Sequence, residues 1–304
     1  MKRYKIFVSV CSYRDPLMAQ TVDSLLYYKS GQHDITVSIF DQGTEFYEDS
    51  NRSDIIYKQI NPHYTNGVGW ARHINSLNLT DEDFYYQIDS HLLFKQDWDI
   101  DLIDDYFKGV EAYKTNKILL SNACYQFKMV DGKPFIIDPP QKDMVMYGKY
   151  IKEESFQKYK LLSAHGVEWG WRSEGTIIEA IHVFAGNMFT HSDFLTNVGI
   201  CPYMYYHPEE QYIALSAFIN DYKLLHLTKI NTYHLDDTNN YASKPYHEPV
   251  IDIYRLNQLN DIGIHYWYNF VSSLDHDILN KFYVYSGVDY INDKLDSRAC
   301  TIKG

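Results

Sequence analysis

The stretch Phe84-Tyr85-Tyr86-Gln87-Ile88-Asp89-Ser90-His91 decides the fold. It is an apolar, aromatic run of strand length that stops on a carboxylate, a hydroxyl and an imidazole, as a buried strand ending at a ligand edge does. Working outward, Tyr4 to Val10 is a second such run, ending at Ser12-Tyr13-Arg14-Asp15. Ile35, Val37 and Ile39 alternate as a third strand that ends at Asp41-Gln42-Gly43, and a short fourth strand is expected through Ile55, Ile56 and Ile60. Between these runs, Asp15-Pro16 opens a helix that carries Met18, Val22, Leu25 and Leu26 at helical spacing and closes at Gly31. Gly67-Val68-Gly69-Trp70-Ala71-Arg72 leads into another helix. Strands alternating with helices predict an α/β fold, a mostly parallel sheet covered on both faces. Ligands of such sheets bind outside the carboxyl ends of the strands, so three polar strand ends are expected on one edge.

Beyond that half the pattern loosens. From about Ile118 to Ile181, with Asp138-Pro139-Pro140 and Trp169-Gly170-Trp171, the sequence reads as long loops with a hairpin. Ala185-Gly186-Asn187-Met188-Phe189 precedes a loop, Pro208-Glu209-Glu210 starts a helix, and Lys223 to Tyr233 reads as one strand ending at His234. The last fifty residues read as helical and aromatic. The expected division is residues 1–125, 126–245 as a second half of the same domain, and 246–304 as a helical extension.

Composition narrows the classes. The 304 residues carry 28 Lys+Arg against 40 Asp+Glu, a net charge of −12, which weighs against a protein held mainly by nucleic-acid phosphates. Cys11, Cys124, Cys201 and Cys300 are widely spaced, so neither a zinc knuckle nor a disulfide scaffold is indicated. No apolar run reaches transmembrane length. A cytoplasmic protein with no membrane partner is the expectation. Tyrosine, at 29 residues, supplies flat hydrogen-bonding rings suited to stacking on a ligand or to packing.

Each local motif admits two readings. Asp89 and His91, two apart at a strand end, suit a divalent cation that also binds phosphate oxygens, with the imidazole tilting the choice from Mg²⁺ toward Mn²⁺; they also suit a helix cap beside a structural histidine. The glycines before Arg72 let backbone approach a ligand and place the guanidinium on a phosphate, or simply turn the chain before a solvated Arg. Asp41-Gln42 reads as a base or ribose contact or as turn chemistry, and His234 as a remote metal ligand or a structural residue. Glu209 and Glu210 read as a base or sugar contact or as first-turn acids that suit the helix dipole. Tyr203, Tyr205, Tyr206 and His265-Tyr266-Trp267-Tyr268 read as an acceptor platform or as packing.

The order of the motifs says more than any one of them. Ser12-Tyr13-Arg14-Asp15, Trp70-Ala71-Arg72, Gln87-Ile88-Asp89-Ser90-His91, Trp98-Asp99, Gly186, and Glu209-Glu210 followed by Ala214-Leu215 together resemble the nucleotide-sugar glycosyltransferases of the GT-A fold. More narrowly, the chain is similar to glycosyltransferase family 60, the polypeptide N-acetylglucosaminyltransferases, over roughly residues 5–235. The resemblance implies a UDP-sugar donor, Mn²⁺ or Mg²⁺, and retention of anomeric configuration. It implies Asp89 and His91 as the family's D-x-H metal ligands, with His234 as a further one. It implies Ser12, Tyr13, Arg14, Asp41, Trp70, Arg72, Gln87 and Asp89 on the donor, and Glu209 and Glu210 as the acidic pair on the transferred sugar or acceptor. The sequence departs from the family's G-E-E at Pro208, which follows His207.

The acceptor implied by the resemblance is a protein Ser, Thr or hydroxyproline. A phage-type DNA glycosyltransferase acting on hydroxymethylated pyrimidine, an enzyme acting on a glycan or small molecule, and a non-catalytic nucleotide-sugar or carbohydrate-binding protein are the alternatives.

Overall fold

The computed structural model describes residues 2–137, 144–151, 154–171, 177–206, 208–235 and 251–300. Asp138-Pro139-Pro140 and His207 lie outside them. The strands in chain order are β1 (Lys5–Tyr13), β2 (Asp34–Gln42), β3 (Ile55–Gln59), β4 (Phe84–Asp89), β5 (Leu92–Phe94), β6 (Ile118–Ser121), β7 (Tyr125–Val130), β8 (Lys133–Ile137), β9 (Met144–Ile151), β10 (Ser163–Trp171), β11 (Ile178–Glu179), β12 (Asn187–His191), β13 (Lys223–His226), β14 (Thr232–Leu235), β15 (Val288–Asp289) and β16 (Lys294–Leu295). The helices are α1 (Met18–Tyr28), α2 (Val68–Ser76), α3 (Trp98–Tyr113), α4 (Glu154–Tyr159), α5 (Phe194–Asn197), α6 (Glu209–Ile219), α7 (Ile253–Ser273) and α8 (His276–Ser286).

Eight strands form one mixed sheet in the order β11-β13-β6-β12-β4-β1-β2-β3. Side chains alternate between its faces along each strand. Ile6, Val8 and Val10 of β1 join Val22 and Leu25 of α1 and Leu102 and Tyr106 of α3 on one side. Phe7 of β1 joins Phe194 of α5 and Ile213 and Ala217 of α6 on the other. The parallel register places Ser12 beside Asp41 and Cys11 beside Asp89, so the three strand ends do share an edge.

The run after Gly186 is β12, which pairs antiparallel with both β4 and β6 in the middle of the sheet. One expectation about the second half is corrected. Lys223 to Tyr233 is not one strand: β13 joins the main sheet, whereas β14 joins a four-stranded sheet ordered β5-β14-β7-β8. His234 therefore lies inside β14 and pairs with Leu92. Its chain neighbour Leu235 donates its backbone N–H to the His91 carbonyl at 3.1 Å.

At the C-terminal end, Trp267 and Val271 of α7 and Leu279 and Phe282 of α8 pack with Leu215 of α6, and the Trp267 indole donates to the Lys160 carbonyl at 3.1 Å. No helix among the described residues is long and apolar enough to cross a membrane.

One buried amide locks α2 to the sheet. Asn75 Nδ2 donates to Ser9 Oγ (2.9 Å) and Ser38 O (2.8 Å), while its Oδ1 accepts from Ser38 Oγ at 2.7 Å. Removing that amide strands several buried partners. Asn75→Ala is expected to lower stability by about 2–4 kcal/mol, read as a fall in urea midpoint at unchanged slope; an unchanged midpoint would refute the role.

Candidate active site

The site is built from α2, the ends of β1, β2 and β4, the turn before β12, the start of α6 and the strand β14. The buried stripe of α2 holds Ala71, Arg72, Asn75 and Ser76 at helical spacing, which turns Arg72 inward. Of the two readings of the glycines at its start, the contacts fit the turn: they allow a tight approach to another segment of this chain. Val68 and Gly69 donate their N–H groups to Tyr205 O and Met204 O, both at 2.9 Å. Gly67 takes φ +97°, and a Cβ there would stand 2.5 Å from Tyr205 Cα. The glycines serve contact between two segments of this chain, so Arg72 arrives buried rather than solvated.

Arg72 lies between two carboxylates. Its Nη2 donates to Asp89 Oδ1 at 2.7 Å, and its Nη1 donates to Glu209 Oε2. Burial disfavours the Arg72 charge, but Glu209 and Asp89 more than offset this and raise its pKa. The two acids diverge. Burial would raise Asp89, yet the bond to His234 and the Arg72 charge hold it well below the usual carboxylate range. Burial dominates at Glu209 and, against the pull of Arg72 and with the negative charges of Glu210 and Asp89 adding to it, lifts it to about 7. Glu209 Oε1 is buried with no hydrogen-bond partner among the described residues. A buried acceptor of that kind suits a ligand hydroxyl.

Asp89, His91 and His234 bring one ligand atom each to within 4.8 Å of one another. His234 Nε2 is 3.5 Å from Asp89 Oδ2 and 3.0 Å from His91 Nε2. A carboxylate with two imidazoles suits a first-row divalent cation that keeps positions open for substrate. Asp89 is fixed from behind as well: its N–H donates to Gly186 O at 3.0 Å.

Two cavities reach residues of this cluster or their direct partners: Asp15, bonded to His91, lines one, and Asp89 lines the other. One, of about 460 Å³, is lined by Arg14, Asp15, Asp41, Gly43, Phe46 and Tyr47. The other, of about 220 Å³, is lined by Arg72, Asp89, His182, Tyr206, Glu209 and Glu210. Asp41 accepts from the Tyr57 hydroxyl at 2.8 Å, and burial raises its pKa. Arg14 is held at φ +50° at the mouth of the first cavity, with Tyr13 beside Gln42 and Ser12 beside Asp41.

Two donor expectations fall elsewhere. Gln87 is fully buried, its amide donating to Ala185 O at 2.7 Å and accepting from Tyr85 OH at 2.9 Å, so it supports the turn before β12. Trp70 packs edge-on against Phe40 at 5.5 Å and lines neither of these cavities. The aromatic set divides: Trp267 and Tyr205 are buried, Tyr203 stacks on Tyr266 at 4.9 Å, and Tyr206 reaches the smaller cavity.

Sequence reasoning missed His182, whose Nε2 is 3.3 Å from Glu210 Oε2. Glu210 Oε1 also accepts the Ala185 N–H at 3.0 Å, so this acid is tied to the turn beside Asp89. His182 stands alone between Ile181 and Val183, with no spacing to mark it.

The family model described as "Glycosyltransferase (GlcNAc)" matches residues 47–259. The chain belongs to this glycosyltransferase family. No curated protein matches this family member's sequence. Among solved structures its fold is similar to that of GalNAc-T7 with UDP, GalNAc and Mn²⁺, at TM-score 0.64 and 12% identity, over 92% of this chain and 50% of that one. It thus spans half the length of the GalNAc-T7 chain, with which it shares the GT-A fold. A looser superposition, TM-score 0.45 and 12% identity over 97% of this chain and 82% of the other, is found with S. aureus TarS 1-349 in complex with UDP-GlcNAc.

Gly186 gives the site a specific test. A Cβ there would stand 2.0 Å from Asp89 Oδ2. Gly186→Ala is expected to displace the carboxylate from Arg72 and the two imidazoles and to lower stability by about 1–3 kcal/mol, read as a fall in urea midpoint with far-UV circular dichroism unchanged. An unchanged midpoint would show that Asp89 does not need its observed position.

Proposed function

We propose that this family member is a metal-dependent glycosyltransferase that moves a sugar from a UDP-sugar to an acceptor hydroxyl with retention of configuration. The observation that carries the reading is the Asp89, His91 and His234 cluster, reached by one cavity at Asp15 and another at Asp89, with Arg72 and Glu209 at its edge. The proposal places the nucleoside in the 460 Å³ cavity against Asp41 and the sugar in the 220 Å³ cavity against Glu209 and Glu210. The GalNAc-T7 structure of the same fold holds UDP and Mn²⁺, which supports both the donor class and the cation.

A divalent cation at the cluster, Mn²⁺ by preference, would neutralise charge building on the departing diphosphate. The chain's own groups do the rest. Tyr57 holds the Asp41 carboxylate toward the base cavity. Glu209 Oε1, lacking a protein partner, accepts a sugar hydroxyl, and Arg72 keeps that carboxylate in place. Glu210, tied to Ala185 and His182, orients the incoming acceptor. With both acids engaged in this way, the acceptor proton passes to the departing phosphate oxygen on the same face of the sugar, which retains configuration.

In this reading residues 1–125 take the nucleotide, and residues 126–245 supply the acceptor side with Glu209, Glu210 and His234. Membership of family 60, with a protein Ser, Thr or hydroxyproline as acceptor and a cytoplasmic setting, is proposed on the motif resemblance. The net charge of −12 favours it over a DNA acceptor.

The test is UDP release from a panel of UDP-sugars with Mn²⁺. Asp89→Ala and His234→Ala are each expected to lower it by about 100-fold or more while the fold persists; full turnover in either would overturn the cation assignment. Radiolabel from the donor is expected in peptides bearing Ser, Thr or hydroxyproline, and label only in hydroxymethylated DNA would overturn the acceptor.

A further inference from the structure

We propose that Asp15 is a positioning residue that fixes the tautomer and ring plane of His91, so that His91 Nε2 offers its lone pair to a divalent cation. The inference rests on the cation reading of Asp89, His91 and His234.

The Asp15 side chain is only 4% exposed, and each of its oxygens is used. Oδ1 accepts the Leu17 N–H at 2.9 Å, which ties the carboxylate to the chain just ahead of α1. Oδ2 accepts from Ser90 Oγ at 2.6 Å and lies 2.7 Å from His91 Nδ1. A carboxylate only accepts, so Nδ1 carries a ring proton, and in the neutral ring Nε2 carries the lone pair. His234 Nδ1 is likewise held by an acceptor, lying 2.8 Å from Leu235 O. Both imidazoles therefore turn Nε2 toward a point where the two nitrogens are 3.0 Å apart and Asp89 Oδ2 is close by. Two nitrogens at that separation need a proton or a cation between them, and a shared divalent cation in place of the proton is what makes them a site. Asp15 and the Leu235 carbonyl together make that arrangement the default. Because Asp15 also lines the 460 Å³ cavity, one carboxylate joins the wall of that cavity to the cation cluster.

The test has two readouts, neither of them turnover. In metal-free wild-type protein, ¹⁵N NMR of the His91 ring is expected to show the proton on Nδ1. In Asp15→Asn the amide keeps an acceptor for Leu17 but offers N–H groups to His91 Nδ1, so the ring proton is expected to move to Nε2. Mn²⁺ affinity, followed by paramagnetic resonance, is then expected to fall about 10–100-fold. Ser90→Ala, which leaves Asp15 and His91 in place, is expected to weaken affinity less. A wild-type ring with its proton on Nε2 overturns the proposal, and that measurement needs no variant to fold. Unchanged Mn²⁺ affinity in a folded Asp15→Asn protein overturns the role of Asp15 and leaves the cation reading standing. Wild-type protein that binds no Mn²⁺ overturns both.

Discussion

The buried guanidinium of Arg72, forked between Asp89 and Glu209, is the constraint on which the rest of the site depends. A charge taken out of water is tolerated only when paired and hydrogen-bonded, and here one cation holds two acids from different parts of the chain. Asp89 ends the central strand β4, and Glu209 opens α6 on the other side of the small cavity. One guanidinium balances the ionised Asp89, while Glu209, lifted to about 7, adds a partial negative charge near neutral pH. A divalent cation beside His91 and His234 would offset it. The same guanidinium leaves its two partners in different states because their other neighbours differ. Asp89 is next to two imidazoles, whereas Glu209 has Glu210 and Asp89 close by. Environments that push two carboxylates apart in this way are how one site assigns different duties to chemically similar groups.

Rigid elements deliver every part of this arrangement. Arg72 rides on a helix whose Asn75, three residues on, is bonded into both β1 and β2. Asp89 is held by β12 through Gly186, where the absence of a side chain is what lets the carboxylate sit so close. His234 crosses 143 positions of sequence to meet His91 because β14 pairs with β5, a strand that begins directly after His91. The cluster of Asp89, His91 and His234 thus lies where the eight-stranded and four-stranded sheets adjoin, and neither sheet alone would form it.

That geometry explains which parts were legible in the sequence. The first ninety residues alternate strand-like and helix-like runs, so the shared edge of the Ser12, Asp41 and Asp89 strand ends followed from pattern, whereas the register that sets Ser12 beside Asp41 and Cys11 beside Asp89 did not. Asp89 and His91 declared themselves because their spacing is local. The support around them did not. Asp15 read as a residue introducing a helix because one of its oxygens does act locally, while the other reaches His91 across 76 positions. His182 and the β12 turn were hidden for a related reason: short apolar segments carry no period, and a contact made through a backbone N–H leaves no mark in the side-chain sequence. The glycines before Arg72 admitted two readings because a tight approach looks the same in sequence whether the neighbour is a ligand or another loop.

The acidic composition also takes on a local meaning. The larger cavity is bordered by Asp15, Asp23, Asp41, Glu45, Glu48 and Asp49, with Arg14 as its basic residue. A nucleotide diphosphate entering it meets carboxylates on most sides, and Coulomb repulsion in a partly enclosed space opposes the anion. The acids nearest the cluster, Asp15 and Asp41, are already engaged: one holds Ser90 and His91, and the other takes the Tyr57 hydroxyl. The outer acids are solvent-facing and screened by salt, so their opposition is weak at physiological ionic strength. On the proposed reading, the positive charge that retains the diphosphate then comes from Arg14 and from a cation at the cluster, because Arg72 is already engaged by Asp89 and Glu209. Donor affinity in such a site would depend in part on how well the cation is held, and this makes the orientation of His91 bear on donor affinity as well as on metal affinity.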